Sequence, residues 1–278
     1  MIVHVIDGTY ELFRHFYGLR RFNQGNDRPY GAVVGVLQTV LQMLEQGVTH
    51  VGIATDHVVE SFRNDLWAGY KTGVGIDPVL WAQFHPLEEA LVAMGVVTWP
   101  MIELEADDAL ASAARIASED PEVERVCIWT VDKDLGQCVV GDRVVQMSRK
   151  AKTMLDAAAI KAKFGVVPAL IPDLLALMGD AADGYPGIAG IGAVTARNLL
   201  NRYGAIETFP PDVLGENQKL AMLFKRLATL RDDAPLFDEV GALRWRGPTA
   251  EFVSQAGRID APKLVERCER ILSKQKAR

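Results

Sequence analysis

Cysteine is scarce in this chain. Cys127, Cys138 and Cys268 stand far apart without CxxC spacing, which argues against a disulfide framework or a structural zinc site. No apolar run approaches the roughly 18–20 residues that a membrane-spanning helix needs. The opening MIVHVIDG lacks the basic-then-apolar layout of a secretory signal, so a reducing cytoplasm is the expected compartment. The pattern GxxxxGK[ST] is missing too, which makes a P-loop phosphotransferase a remote reading. Nor is there a surplus of positive charge. Thirty Lys and Arg against 36 Asp and Glu give a net charge of −6, which weighs against a general nucleic-acid coat protein but says nothing about local distribution. What remains is an ordinary globular composition, 49% hydrophobic and 24% charged, long enough for one large domain or a main domain with a smaller appendage.

Three apolar, β-branched runs share one feature. IVHVID, HVGIATD and VCIWTVD each read as a buried strand, and each finishes on an aspartate: Asp7, Asp56 and Asp132. Between them lie helix-period stretches near 35–47, 87–95 and 108–119, the last with Ala109, Ala113, Ile116 and Ala117 as its buried stripe. Strands alternating with helices imply an α/β fold with a mainly parallel sheet flanked by helices. Parallel strands bring their carboxyl ends to one edge, where open α/β sheets bind ligands, so the three aspartates should converge there.

More acids join them. The run LEADDAL follows a short strand-like VVTWP and opens a helix, adding Glu105, Asp107 and Asp108, and Asp134 lies two residues past Asp132. Two ionised carboxylates ~4 Å apart repel by about 4 kcal/mol at an effective dielectric of 20. A cluster of them must protonate or hold cations, and hard divalent ions with oxygen ligands, Mg²⁺ or Mn²⁺, are the natural occupants. Any single aspartate here could instead cap a helix or sit solvated in a loop. That reading stays open residue by residue.

Residues 178–204 carry a different signal. Asp180 and Asp183 precede a glycine-dense turn and then the helix AVTARNLLNRY, in the pattern of a helix–hairpin–helix. Glycines allow close backbone approach to a phosphate, and the exposed N–H groups of a helix start bind anions. Arg197 and Arg202 lie on that helix, with Lys219, Lys225, Arg226 and Arg231 downstream. An αα-hairpin without a ligand is the alternative.

Taken in order, VIDGTYELFR, TDHVVESFRNDLWAGYKTG, LEADDALASAA, TVDKDLGQ and MGDAADGYPGIAGIGAVTARNLL resemble the 5′-nuclease (flap endonuclease-like) family, which includes the 5′→3′ exonuclease domain of bacterial DNA polymerase I. The resemblance covers roughly residues 2–245. It implies a PIN-like sheet domain over 1–165, with a helical arch near 72–90, and a helix–three-turn–helix DNA-binding region with a C-terminal helix over 166–278. It implies metal ligation by Asp7, Asp56, Glu105, Asp107, Asp108, Asp132, Asp134, Asp180 and Asp183, holding two Mg²⁺ or Mn²⁺ ions. Arg63 and Lys71 match basic residues that contact the scissile phosphate. Phe13 and Arg14 match an aromatic–arginine pair near the active site, and Tyr70 sits where the family stacks an unpaired base. Gly187, Gly190, Gly192, Thr195 and Arg197 fall on the hairpin and the helix it opens, where family members grip one DNA strand with a K⁺ ion on the carbonyls.

Two positions depart from the family pattern: Val74 stands where an arginine is usual, and Gly184 where an asparagine is usual. The arch stretch 72–90 has no lysine or arginine but carries Trp81 and Phe84, which could stack on bases or pack against the domain. His57 and His85 carry no comparable argument and read as surface or loop residues. The expected function is structure-specific hydrolysis of DNA at 5′ ends or flaps, in replication or repair, by a free-standing nuclease near the bacterial nucleoid with no membrane association. A non-catalytic flap-binding module and a PIN-like ribonuclease acting on RNA are the alternatives.

Overall fold

The computed structural model describes residues 1–23, 28–149, 151 and 153–276. Among these residues six strands form one sheet: β1 (Ile2–Asp7), β2 (His50–Asp56), β3 (Val97–Met101), β4 (Arg125–Trp129), β5 (Val144–Ser148) and β6 (Thr153–Leu155). They lie in the order β3-β2-β1-β4-β5-β6. The first five run parallel, and only β6 pairs antiparallel, with β5. The strand expected to reach Asp132 ends three residues earlier, at Trp129. Thr130 explains the early exit: its Oγ1 accepts the N–H of Asp132 at 3.2 Å, a local bond that competes with the ladder.

The helices are α1 (Gly8–Asn23), α2 (Gly31–Glu45), α3 (Phe62–Leu66), α4 (Pro78–Trp81), α5 (Phe84–Ala93), α6 (Ala106–Glu119), α7 (Ala157–Phe164), α8 (Ile171–Met178), α9 (Ala193–Tyr203), α10 (Pro211–Leu214), α11 (Gln218–Ala228), α12 (Phe252–Arg258) and α13 (Lys263–Lys276). None of those described is long and apolar enough to cross a membrane. Strand alternation sorts them into layers. Ile6 and Ile53 point into a core built with α1, α2 and α5, where Leu37, Leu41, Leu87 and Leu91 are buried. Val3, Val5 and Ala54 point the other way, onto the Ala109, Ala113 and Ala117 stripe of α6. Ile116, expected on that stripe, is only half-buried.

A second lobe has its own core of Leu174, Leu175 and Leu177 from α8, Ala196 and Leu200 from α9, and Phe224 and Leu227 from α11. Asp173, 1% exposed, ties it together by accepting the N–H of Ile206 at 2.8 Å and meeting Lys225 Nζ at 2.8 Å. Lys225 also pairs with Glu207 at 2.7 Å, so one of the cations read as downstream of the hairpin is already engaged within the lobe.

Two expectations change here. The tail past 245 holds two helices rather than one, broken at Asp260 (φ 52) and Pro262. It packs not on the second lobe but on the first, where Phe252, Ile259, Leu264, Cys268 and Ile271 join the core of α2 and α5. Trp245 begins this return, its indole N–H donating to the Met94 carbonyl at 2.9 Å. The stretch expected to arch over a single strand is also largely folded down. Leu80, Phe84 and Leu87 are buried in the same core because their apolar side chains fall on the inner side of α4 and α5. Trp81 stacks on Phe84 with ring centroids 5.2 Å apart. The part before α4 stands out furthest, with Val74 91% exposed, and Val79 and Trp81 of α4 are exposed as well.

If the tail is integral to the first lobe, Phe252→Ala should cost about 3–5 kcal/mol of unfolding free energy, as for other buried aromatics. Urea denaturation checks this; a loss below about 1 kcal/mol would show the tail to be merely appended.

Candidate active site

The carboxyl edge of the sheet gathers the acids. Asp7, at the end of β1, accepts the Tyr10 N–H on Oδ1 at 2.8 Å and the Thr130 hydroxyl on Oδ2 at 2.9 Å. Asp56, at the end of β2, accepts the Ala106 N–H at 2.8 Å and so pins the start of α6 to the edge. Glu105 is the N-cap of that helix, which puts Asp107 in its first turn on the same edge. Asp132 follows β4, and its Oδ1 accepts the N–H of Asp134 at 2.9 Å. Asp134, Asp180 and Asp183 form a second group, with one oxygen from each within 4.8 Å of the others.

Mutual repulsion links the two groups. Burial first, then the charges of Asp132 and Asp7, pushes Asp107 well above the ordinary carboxylate range. Asp134 is pushed up by burial and then by Asp132 and Asp183. Asp7 is raised to about 7, by burial and then by Asp56 and Asp132, against the N–H of Tyr10. A site that forces protons onto its acids at neutral pH is short of positive charge. Two ammonium groups supply part of it. Lys71 Nζ lies 2.8 Å from Glu105 Oε2 and 3.1 Å from Asp183 Oδ1, bridging the groups. Lys133 Nζ lies 2.5 Å from Asp180 Oδ2 and 3.7 Å from Asp134 Oδ1. Asp134 Oδ1 is buried yet accepts no hydrogen bond. An unpartnered buried oxygen facing an ammonium, in an all-oxygen set, fits a hard divalent cation.

The structure places three of these candidates away from the open edge. Asp108 is fully buried, and both its oxygens are taken: Oδ1 by Arg63 at 2.7 Å and the Arg231 N–H at 2.8 Å, Oδ2 by Arg63 at 2.8 Å and the Glu105 N–H at 2.9 Å. Both oxygens are thus engaged within the fold, which sets Asp108 apart from the other eight acids. Arg63 is 1% exposed and also donates to the carbonyls of Leu227 and Thr229, so it clamps the second lobe to α6 and does not face a phosphate. Tyr70 is 4% exposed within the second-lobe core, with its hydroxyl 3.4 Å from Glu105 Oε2, where no base can stack on it. Burial also raises the Tyr70 hydroxyl pKa, reinforced by Glu105.

Of the remaining positions, Phe13 packs against the first core and meets Phe84 edge-on at 6.0 Å. Arg14 bonds to Glu11 by Nε at 3.1 Å and stays about one-third exposed. Glu11 itself is buried and also holds Arg149 at 3.1 Å, a pairing the sequence did not suggest. Lys133 was missed as well, although its place between Asp132 and Asp134 was a usable signal.

Lys71 is fixed through its backbone. Its N–H donates to the Asp183 carbonyl at 3.0 Å, and its own carbonyl accepts from the Asn64 amide at 3.0 Å. Gly184 makes this approach possible: it has φ +82, and a Cβ there would stand 2.0 Å from the Gly69 oxygen. A side chain at 184 could not come this close. Beyond it, Gly187 (φ +73) lets the hairpin pass against Gly179, where a Cβ would stand 2.3 Å from the Gly179 nitrogen. The turn closes through the N–H of Ile191 donating to the Ile188 carbonyl at 2.9 Å, with open space around Gly190. Gly192 then caps α9, on which Thr195 is exposed. Arg197 is partly engaged, donating from Nε to the Ala193 carbonyl at 3.0 Å.

Residues 2–165 match the sequence profile of the 5′-3′ exonuclease N-terminal resolvase-like domain, and residues 166–251 match that of the 5′-3′ exonuclease C-terminal SAM fold. This chain belongs to the 5′-3′ exonuclease family. The chain is 29% identical over 252 residues to the 5′-3′ exonuclease of Buchnera aphidicola subsp. Schizaphis graminum, covering 84% of this chain and 87% of that one. It is 33% identical over 261 residues to DNA polymerase I of Pseudomonas aeruginosa, covering 86% of this chain but only 28% of the polymerase. Its fold is similar to that of the bacteriophage T5 D15 flap endonuclease in a complex with DNA and metal ions, with a TM-score of 0.64 at 18% identity over 98% of each chain.

Two outcomes follow. Arg63→Ala strands Asp108 as a buried unpaired charge and should cost about 3–5 kcal/mol in urea unfolding, whereas a phosphate-contact role would leave stability unchanged. Asp7 has a folded pKa of about 7 against 3.8 ordinarily, so without divalent metal the folded state binds its proton more tightly than the unfolded chain. The stability this gives is complete below the lower value and lost as pH rises through the upper one. Asp7→Asn, which never ionises, should therefore gain Tm over the parent increasingly from about pH 4 to about pH 7, then level off. A constant or shrinking gap would contradict the raised value.

Proposed function

We propose that this exonuclease hydrolyses phosphodiester bonds of DNA at 5′ ends or flaps beside a duplex, with two divalent ions, Mg²⁺ or Mn²⁺, at the carboxylate edge. The observation that carries this reading is the meeting of eight acids at the carboxyl edge of the sheet, with Lys71 bridging Glu105 and Asp183. The T5 flap endonuclease holds DNA and metal ions on the same fold, and that ligand chemistry is carried to this chain here. Asp7, Asp56, Glu105, Asp107 and Asp132 would hold one ion; Asp134, Asp180 and Asp183 the other. When bound, the ions lower the pKa of water and neutralise charge on the attacking and leaving oxygens.

The protein's own groups do the rest. Lys71, a third exposed and held by Glu105 and Asp183, carries its ammonium where negative charge grows on the phosphate. Its firm positive charge is favoured because burial, which would lower its pKa, is outweighed by Glu105 and Asp183. The hairpin at 187–192 and the α9 N-terminus would grip one backbone strand through N–H groups, and the hairpin carbonyls would hold K⁺. Phosphate contacts of this kind are blind to sequence, so selection is for a structure. Replication or repair beside the nucleoid is the setting that suits such a substrate.

Asp107→Ala or Asp132→Ala should abolish Mg²⁺-dependent cleavage of a 5′-flap duplex, and Lys71→Ala should lower kcat by about 10²–10³, the scale for losing one charge-stabilising donor. EDTA should stop the wild type. Undiminished cleavage by either aspartate variant discards the site, and preferential cutting of an all-RNA substrate redirects the assignment to a ribonuclease.

A further inference from the structure

We propose a second, chemically different metal site on the opposite face of the sheet edge: His57, His85 and Glu88 bind one borderline transition-metal ion of the zinc class. One donor atom from each lies within 4.8 Å of the others. His85 and Glu88 stand three residues apart in HPLE, on the first turns of α5, and spacing of this kind puts both on one helix face. His57 comes from the residue after β2, where its N–H is fixed to the Met101 carbonyl at 2.9 Å. Strand alternation sends Thr55 and His57 toward α5 while Asp56 turns the other way, to the start of α6. The two centres are therefore back to back.

The carboxylate is already oriented. Glu88 is 6% exposed; its Oε1 accepts the Thr55 hydroxyl at 2.8 Å and its Oε2 lies 2.7 Å from His57 Nδ1. A ligand carboxylate fixed by a neighbouring hydroxyl is the outer support that metal sites use. The rings of His57 and His85 lie 4.2 Å apart, tilted by 47°. A simple ion pair needs one imidazolium and gives the second ring no role. An ion accepting both rings and the carboxylate uses all three, taking the place of the contact between His57 Nδ1 and Glu88 Oε2. His85 is exposed, so the ion has a route from solvent and a water can complete a four-ligand shell. Two nitrogens and one oxygen suit Zn²⁺, whereas the all-oxygen edge suits Mg²⁺. The bound ion would staple the end of β2 to α5, and with it the exposed 72–77 segment beside the active site.

The test titrates Zn²⁺ into the full-length protein in excess Mg²⁺, which keeps the carboxylate edge occupied, and reads the imidazole nitrogens by NMR. The chain has five histidines, so assignment is direct. We expect two rings, His57 and His85, to shift at one equivalent, the stoichiometry to fall by one ion in H57A and H85A, and Thr55→Val to weaken uptake about 10–100-fold. Circular dichroism checks that each variant is folded; His85→Gln, at an exposed position, serves if H57A is not. Unmoved imidazoles at saturating Zn²⁺, or undiminished uptake by folded His85 variants, would overturn the proposal, the ion then belonging to the carboxylates.

Discussion

Repulsion among buried carboxylates is the constraint from which most of this architecture follows. Asp7, Asp107 and Asp134 all sit where burial and their neighbours oppose ionisation. Nothing in the fold removes that tension; the fold distributes it. Backbone N–H groups take one side of Asp7 and of Asp56, and lysine ammoniums sit against Glu105, Asp183 and Asp180. What remains unbalanced is the charge a divalent cation supplies. A metal-dependent nuclease needs such a site, because a nucleic-acid backbone approaching the bare carboxylates would be repelled.

Arg63 and Asp108 show how the same composition serves two ends a few residues apart. Asp107 is left for the site, while its neighbour Asp108 turns inward to a guanidinium and two backbone N–H groups. The pair reaches across to the carbonyls of Leu227 and Thr229 and so couples the sheet lobe to the hairpin lobe. Lys71 is set by that coupling: it rests on Glu105 from one lobe and Asp183 from the other. The placing of Lys71 and the docking of the lobes are one problem in this molecule.

The sheet edge also has two faces with separate chemistry. On the α6 side stand carboxylates alone; on the α5 side stand two imidazoles and one carboxylate braced by Thr55. A single residue step along β2, from Asp56 to His57, separates them. Period-two alternation of side chains is enough to keep the two donor sets apart.

The sequence alone determined the parallel α/β layout, the convergence of the acids at or just past the strand ends, and the hairpin before α9, because each depends on local periodicity or on glycine spacing. α9 itself spans the same residues that AVTARNLLNRY marks out. Tertiary structure alone decided which acids remain available. Asp107 and Asp108 are adjacent and alike in sequence; only the direction each takes from the first turn of α6, and the arrival of Arg63 from a distant helix, separates a site residue from a buried clamp. Tyr70, Phe84 and the C-terminal helices were likewise assigned by where apolar surface could be buried, a choice made by contacts between segments far apart in the chain. Burial and long-range pairing are properties of the assembled fold, and no local pattern encodes them.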